Sequence, residues 1–278
     1  MEKVSIYIPT YNAEKTIKES IESLYIQSVP FDEVIIINDF SNDSTSEILK
    51  TFSKIKIFNN NKNRGLGYCR NFAMNKAKNN IVASIDADVV LDKYWLEKIL
   101  SSLNRNDVVM AGGNLKEKLI DNKYNLWRAK YYKQNWGDKN IMNPSFLYGC
   151  NTIQFKSIWL KTDGYDDDLM TNGEDVDYSN KVRTLEACNT YYESEALCQH
   201  LQNDDLDSLS RRVWRYHSFG YKIKKPSFYR FLKLVVKQLK IFSKRLVLDL
   251  LNLKFMFINL IILIKFIKFE FLNFMDNR

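Results

Sequence analysis

The run Val34-Ile35-Ile36-Ile37 constrains the fold most. Four consecutive β-branched residues have no polar face to offer water, so they require a strand covered on both sides. That is the environment of a parallel sheet with helices on each face. Val4 to Ile8, Ile55 to Phe58 and Ile81 to Ile85 are further strands of the same short, apolar kind. Between them, residues 13–27 set Ile17, Ile21 and Leu24 on one helical face, and residues 44–53 read as a helix capped by Asp43 or Ser41. A third helix runs from about Gly67 to Lys78. This alternation predicts an α/β fold with an open, mostly parallel, Rossmann-like central sheet. Farther on the pattern is less regular. Strands are expected at Phe146 to Tyr148, Thr152 to Phe155 and Tyr191 to Cys198, with a helix near Ser157 to Thr162.

In such sheets ligands bind beyond the carboxyl ends of the strands. Three polar clusters fall there: Pro9-Thr10-Tyr11-Asn12 after the first strand, Asn38-Asp39-Phe40-Ser41 running on to Ser44 after the second, and Asp86-Ala87-Asp88 after the fourth. Singly each reads as a turn or a helix cap, since Asn, Asp and Ser are ordinary turn residues. Together they mark one edge of one sheet. Two carboxylates one residue apart, leaving a buried strand, offer hard oxygen ligands to Mg²⁺ or Mn²⁺, which would also hold substrate phosphates. A solvated acidic turn is the other reading of the same residues.

Taken in order, these clusters resemble the family 2 glycosyltransferases of GT-A fold. The resemblance extends through Asn63-Arg64-Gly65, Arg70-Asn71, Gly164-Tyr165-Asp166, Glu174-Asp175 and His200, over roughly residues 3–220. It implies an inverting, metal-dependent enzyme that moves a sugar from a nucleotide-diphosphate donor, UDP favoured, to a hydroxyl of a polysaccharide or lipid-linked oligosaccharide. By resemblance Asp86, Asp88 and His200 would hold a divalent cation, Mn²⁺ or Mg²⁺. Asp175 would be the general base, with Glu174 as second choice. Pro9, Thr10, Tyr11, Asn12, Asp39, Arg64, Arg70 and Asp86 would meet the nucleotide-sugar. Asn172-Gly173-Glu174-Asp175 also reads as a helix start with favourable acids in its first turn. The chain departs from the family pattern at four places. Asn38 replaces an acid, Phe40 replaces a turn glycine, Val89 replaces an acid after the metal motif, and Asp163 replaces the first glycine of Gly-Gly-Phe-Asp. The absence of Gln-x-x-Arg-Trp disfavours a processive cellulose- or hyaluronan-type synthase. Two alternatives stay open: a polyprenyl-phosphate glycosyltransferase, and a catalytically silent nucleotide-sugar-binding scaffold subunit.

The formal charge of +8 is unevenly spread over the 278 residues. Residues 1–210 hold 25 Lys and Arg against 30 Asp and Glu, whereas residues 211–278 hold 16 against three. The excess therefore sits in an apolar tail without stacking platforms or a reading motif, which argues against a nucleic-acid partner. Residues 1–225 are expected to form the GT-A domain and residues 226–278 a helical extension starting at Pro226. There Arg230, Lys233, Lys237, Lys240 and Lys244 form one basic stripe, suited to an anionic membrane surface. Residues 246–267 hold 17 apolar residues out of 22, interrupted by Asp249, Asn252, Lys254, Asn259 and Lys265. About −8 kcal/mol of apolar insertion is cancelled by three charges at about +3 kcal/mol each, so a stable span is marginal. Partial insertion, or pairing with a partner helix or a second subunit in a homodimer, is the expectation. Membrane contact is assigned to residues 227–267. Four cysteines without C-x-x-C spacing read as reduced thiols. The start, Met1-Glu2-Lys3-Val4, lacks the apolar stretch of a signal peptide. The expected location is therefore cytoplasmic, peripheral on the inner face of the membrane.

Overall fold

The computed structural model describes residues 2–105, 107–219 and 227–276, and the chain divides into two compact units. The first, up to Lys118 with Lys133–Met170 and Glu174–Gln202, is built on one sheet. Its strands are β1 (Val4–Thr10), β2 (Glu33–Asn38), β3 (Lys56–Asn59), β4 (Ile81–Ile85), β5 (Val89–Leu91), β6 (Val108–Glu117), β7 (Ile141–Met142), β8 (Asn151–Phe155) and β9 (Asn189–His200). They lie in the order β3-β2-β1-β4-β8-β6-β9-β5, with β7 also on β9. The neighbours β3, β2, β1 and β4 are all parallel, and the register pairs Thr10 with Asn38 and Tyr7 with Ser84. Their carboxyl ends therefore share one edge. β8 runs antiparallel between β4 and β6, after which β6 and β9 are parallel again.

The helices of this unit are α1 (Ile17–Tyr25), α2 (Thr45–Lys50), α3 (Leu66–Lys76), α4 (Trp95–Leu103), α6 (Lys156–Lys161) and α7 (Glu174–Arg183), while α5 (Lys123–Tyr131) belongs to the second unit. Val4, Ile6, Ile8, Val34 and Ile36 pack on residues of α1, α2 and α4. The alternate residues Tyr7, Ile35, Ile37 and Val82 pack on Cys69, Ala73 and Met74 of α3. Both faces of the pleat are buried, which is why the β2 run has no polar residue to alternate. The α/β fold expected from that run is the fold observed.

One local expectation changes. Phe146 to Tyr148 is not a strand, because side chains take its backbone groups: Trp136 Nε1 donates to the Phe146 carbonyl at 2.9 Å, and Ser179 Oγ accepts from the Leu147 N–H at 3.0 Å. Its rings pack locally, Phe146 on Tyr148 with centroids 4.8 Å apart. β6 is a strand beyond those expected, and its Gly112-Gly113 pair marks a bulge in the ladder with β9, where a Cβ on Gly113 would lie 2.5 Å from the Ala196 carbonyl oxygen.

The second unit comprises Leu119–Tyr132, Thr171–Gly173 and the chain from Asn203 onward. It contains α5, α8 (Leu206–Phe219), α9 (Phe228–Leu248) and α10 (Leu253–Asp276), around Trp127, Leu209, Val213, Ile258, Ile262 and Phe266. Pro226, the expected helix start, lies outside the described residues. Ser227 caps α9 by accepting from the Arg230 N–H at 3.2 Å. Two of the polar residues that interrupt the apolar tail, Asp249 and Asn259, are satisfied within the chain. Asp249 accepts from Lys130 (2.5 Å), Tyr131 (2.5 Å) and Asn259 (2.6 Å), and Asn259 accepts from Trp127 Nε1 at 2.8 Å. The partner for that face of α10 is thus this chain's own α5. Among the described residues no helix is long and apolar enough to cross a membrane.

Candidate active site

The carboxyl edge of the first unit's sheet gathers most of the residues singled out by pattern. Ser84 is the last-but-one residue of β4, and Asp86 and Asp88 follow the strand directly. α7 opens with Glu174 and Asp175. Arg70 of α3 joins them. It is 1% exposed, and every guanidinium nitrogen donates: Nε to Glu174 Oε1 (3.2 Å), Nη1 to Ser84 Oγ (2.6 Å) and the Gly149 carbonyl (3.0 Å), Nη2 to Asp86 Oδ1 (2.9 Å). The sequence reading placed Arg70 at the nucleotide. The structure instead buries it as the tie between Asp86 and Glu174, the latter 104 residues from Arg70 itself.

Gly149 was not anticipated. A Cβ there would sit 2.9 Å from Arg70 Nη2 and 3.1 Å from Asp175 Cβ, so only glycine lets the loop close on both. Its N–H donates to Asp175 Oδ2 at 3.1 Å, and the Val176 N–H donates to Oδ1 at 2.8 Å, fixing the carboxylate plane. Burial holds the Asp175 carboxyl above the usual range against the pull of those N–H groups and of Arg70. Burial, then the neighbouring Asp175 charge, pushes Glu174 to about 8 despite Arg70. Burial also raises Asp86, again opposed by Arg70.

A second cluster surrounds His200. The register sets Val89 of β5 and Glu117 of β6 on either side of it. Asp88 therefore comes within 3.2 Å of Nε2, and both Glu117 oxygens lie 3.2 Å from Nδ1. Burial alone would lower the imidazole, but the two carboxylates outweigh it and bring His200 to about 9. Asp88 and His200 are the two groups here that could share a divalent cation, with the Glu117 carboxylate orienting the ring from behind. Asp86, tied to Arg70, does not join the pair, and among the described residues no three acid, His or Cys side chains are placed to hold a metal ion together. Glu117 escaped the sequence reading because nothing but strand register brings it to His200.

The residues expected to meet the nucleotide, Arg70 and Asp86 aside, form a separate lattice at the ends of β1 and β2. Pro9 and Thr10 are buried, and the Thr10 carbonyl accepts from the Asp39 N–H at 2.8 Å. Asn12 and Ser41 to Asn42 exchange two hydrogen bonds, at 3.0 and 2.9 Å, while the Tyr11 side chain stays exposed. The buried Asp39 carboxylate accepts from Asn60 Nδ2 (2.7 Å) and the N–H groups of Arg64 (2.8 Å) and Gly65 (2.9 Å), so it folds the 60–65 loop. The Arg64 guanidinium lies 4.1 Å over the Tyr68 ring. Phe40 and Asp163, which replace family glycines, hold positive φ values of 66° and 55°. The backbone keeps the glycine conformation although the residue has changed. All four cysteines are free, and burial raises the thiols of Cys69, Cys150 and Cys198, which makes them inert.

Comparison with known proteins agrees with this geometry. The model of the family described as Glycosyl transferase family 2 matches residues 5–160. A poly-beta-1,6-N-acetyl-D-glucosamine synthase of Staphylococcus epidermidis is 27% identical over 254 residues, covering 84% of this chain and 58% of that protein. A UDP-Glc:alpha-D-GlcNAc-diphosphoundecaprenol beta-1,3-glucosyltransferase of Escherichia coli is 34% identical over 152 residues, covering 54% and 58%. The chain thus spans little more than half of each relative. A mannosyltransferase from Pyrobaculum calidifontis, solved with GDP-Man and Mn²⁺, superposes with a TM-score of 0.60 at 18% identity, over 78% of this chain and 61% of that one. That likeness establishes the shared fold.

Proposed function

Since the chain belongs to glycosyl transferase family 2, we propose that it transfers a sugar, with inversion, from a nucleotide-diphosphate donor to a hydroxyl of a polysaccharide or lipid-linked oligosaccharide. UDP is the favoured carrier, as in the name of the Escherichia coli relative. The observation that carries the reading is the Arg70 tie, which seats the half-buried Asp175 beside Asp86 at the carboxyl edge of β4. Asp175 takes the proton from the acceptor hydroxyl. Its raised pKa makes it a better base, and the Gly149 and Val176 N–H groups aim it. The acceptor oxygen bonds to the anomeric carbon as the bond to the diphosphate breaks on the opposite face, so no covalent enzyme intermediate is needed. A divalent cation held by Asp88 and His200, with Glu117 orienting the imidazole, would supply charge neutralisation for the departing diphosphate. Tyr11, Asn12 and the 60–65 loop folded by Asp39 form the nucleotide side. The Lys-rich α9 supports a place of work at an anionic membrane surface, at the inner face, through residues 227–267.

The test is Asp175→Asn. Transfer should fall about 10²- to 10⁴-fold, the usual contribution of a general base, while calorimetric affinity for the nucleotide-sugar stays as in the parent. Unchanged turnover would remove Asp175 from the role.

A further inference from the structure

The structure assigns to the α9–α10 hairpin a specific seat in the membrane: it lies flat in one leaflet, with the turn between the two helices as its deepest point. This rests on the membrane reading above and adds which residues enter the lipid.

Three features carry it. The first is the turn. Leu250 is 62% exposed, Leu251 is fully exposed and Leu253 is 77% exposed, with Val247 and Leu248 also in water. This is not a frayed end. The buried Asp249 that opens the turn is held by Lys130, Tyr131 and Asn259. The Asn252 N–H donates to the Asp249 carbonyl at 2.7 Å, and Asn252 Oδ1 caps α10 through the Phe255 N–H at 3.1 Å. Polar contacts thus fix the backbone in a shape that keeps large apolar side chains out of the protein core.

The second feature is the pattern along each helix. On α10, Leu253, Phe257, Leu260, Ile264, Phe271 and Met275 are all exposed, and at about 100° per residue they fall in one row. The opposite side of α10, with Ile258, Ile262, Phe266 and the buried Glu270, is covered by the second unit itself. Glu270 accepts there from Trp214 Nε1 at 3.0 Å and Ser218 Oγ at 2.8 Å. A helix with one face covered by protein and the other apolar lies along a bilayer rather than through it. On α9, Phe228, Leu232, Val236 and Leu239 form a similar exposed row.

The third feature is charge. Directly beside the α9 row stand the exposed Lys233, Lys237, Lys240 and Lys244, and Lys254 is exposed at the start of α10. Residues 228–276 hold nine Lys and Arg against three acids. Apolar rows edged by lysines complement an acyl layer under anionic headgroups. A second copy of the chain would instead bring two strongly basic surfaces together.

The experiment uses the full chain with vesicles of phosphatidylcholine containing phosphatidylglycerol. An environment-sensitive fluorophore is placed at Leu251→Cys in a Cys188→Ser background, because Cys188 is the native cysteine that is not buried. A control label goes at Leu160→Cys on α6, which is also exposed. On vesicles the label at position 251 should shift to the blue and become at least tenfold less accessible to an aqueous quencher, and the control should not change. The double variant Leu250→Glu, Leu251→Glu should bind vesicles at least tenfold more weakly, with its melting temperature and nucleotide-sugar affinity unchanged. Equal quenching at both labels on bound protein would overturn the seat and leave the lysines alone holding the surface. Dissociation of a vesicle-free dimer by the double variant would assign the surface to a second copy. Turnover of the parent chain, measured in parallel, bears on the transferase reading only, whereas label depth decides the seat.

Discussion

Replacing Arg70 by Met keeps much of the side-chain volume and removes the guanidinium from the centre of the active site. Four hydrogen bonds are lost, two of them to carboxylates, at Glu174 and Asp86. Charge-assisted bonds contribute about 1.5–3 kcal/mol each and neutral ones about 1 kcal/mol, but part is recovered as the freed groups rearrange. Breaking a buried ion pair by removing one partner costs about 3–5 kcal/mol. We expect Arg70→Met to lose about 4 kcal/mol of stability, or about 10 °C in Tm. Arg70→Lys should recover only a minor part, since an ammonium cannot reach four acceptors set in a guanidinium's plane. The origin of the loss is testable by a double-mutant cycle with Glu174→Gln, followed by urea unfolding. At a pH above about 8, where Glu174 is ionised beside Arg70, removing Arg70 strands the carboxylate, the amide relieves the penalty and the cycle shows about 1–2 kcal/mol of coupling. A melting temperature for Arg70→Met within a degree of the parent would refute the network. Zero coupling would refute its assignment to Glu174.

Three other perturbations test separate parts of the molecule. Glu117→Gln should weaken divalent-cation dependence about 10- to 100-fold, the usual cost of removing an orienting partner behind a metal-binding imidazole, read as the cation concentration for half-maximal transfer. Phe40→Gly should raise stability by about 1 kcal/mol, because the residue holds φ 66° with its ring exposed; a lower melting temperature would show that the ring has a partner worth more than the strain. His217 is lowered to about 4 by burial and then by the Lys237 and Arg245 charges, so it is neutral when folded and protonates on unfolding below its ordinary value near 6.5. The stability it contributes is complete above that value and is lost as pH falls toward 4, by about 3 kcal/mol in all. Urea unfolding of His217→Phe should show a flatter pH dependence across that window, and an identical slope in the two proteins would exclude the histidine.

The β1, β2 and β4 edge was legible because local sequence carries it. An unbroken β-branched run has one stable environment, and the polar residues that follow each strand must then share an edge. What escaped the sequence depends on contacts between distant segments. Gly149 looked like any loop glycine until Arg70 and Asp175 closed on it, and Glu117 looked like a surface acid until strand register set it behind His200. Arg70 was visible as a residue but not in its role, since a buried arginine and an exposed one at the start of a helix have the same local pattern.

The tail makes the same point from the opposite direction. In the sequence, Asp249 and Asn259 count only as interruptions of an apolar run. In the structure they are spent on Lys130, Tyr131 and Trp127, and so mark the face that protein covers. Once that face is assigned, the remaining apolar residues no longer describe a failed transmembrane helix. They describe the uncovered side of a helix whose other side is already packed. Polar interruptions in an apolar run therefore carry orientation as well as cost, and the orientation is read only when their partners are known. If that is correct, Asp249→Leu should leave the tail more apolar in composition yet bind vesicles more weakly. It would free the turn that presents Leu250 and Leu251, and leave Lys130 and Tyr131 without their acceptor. Tighter vesicle binding by Asp249→Leu would show instead that apolar content alone governs attachment.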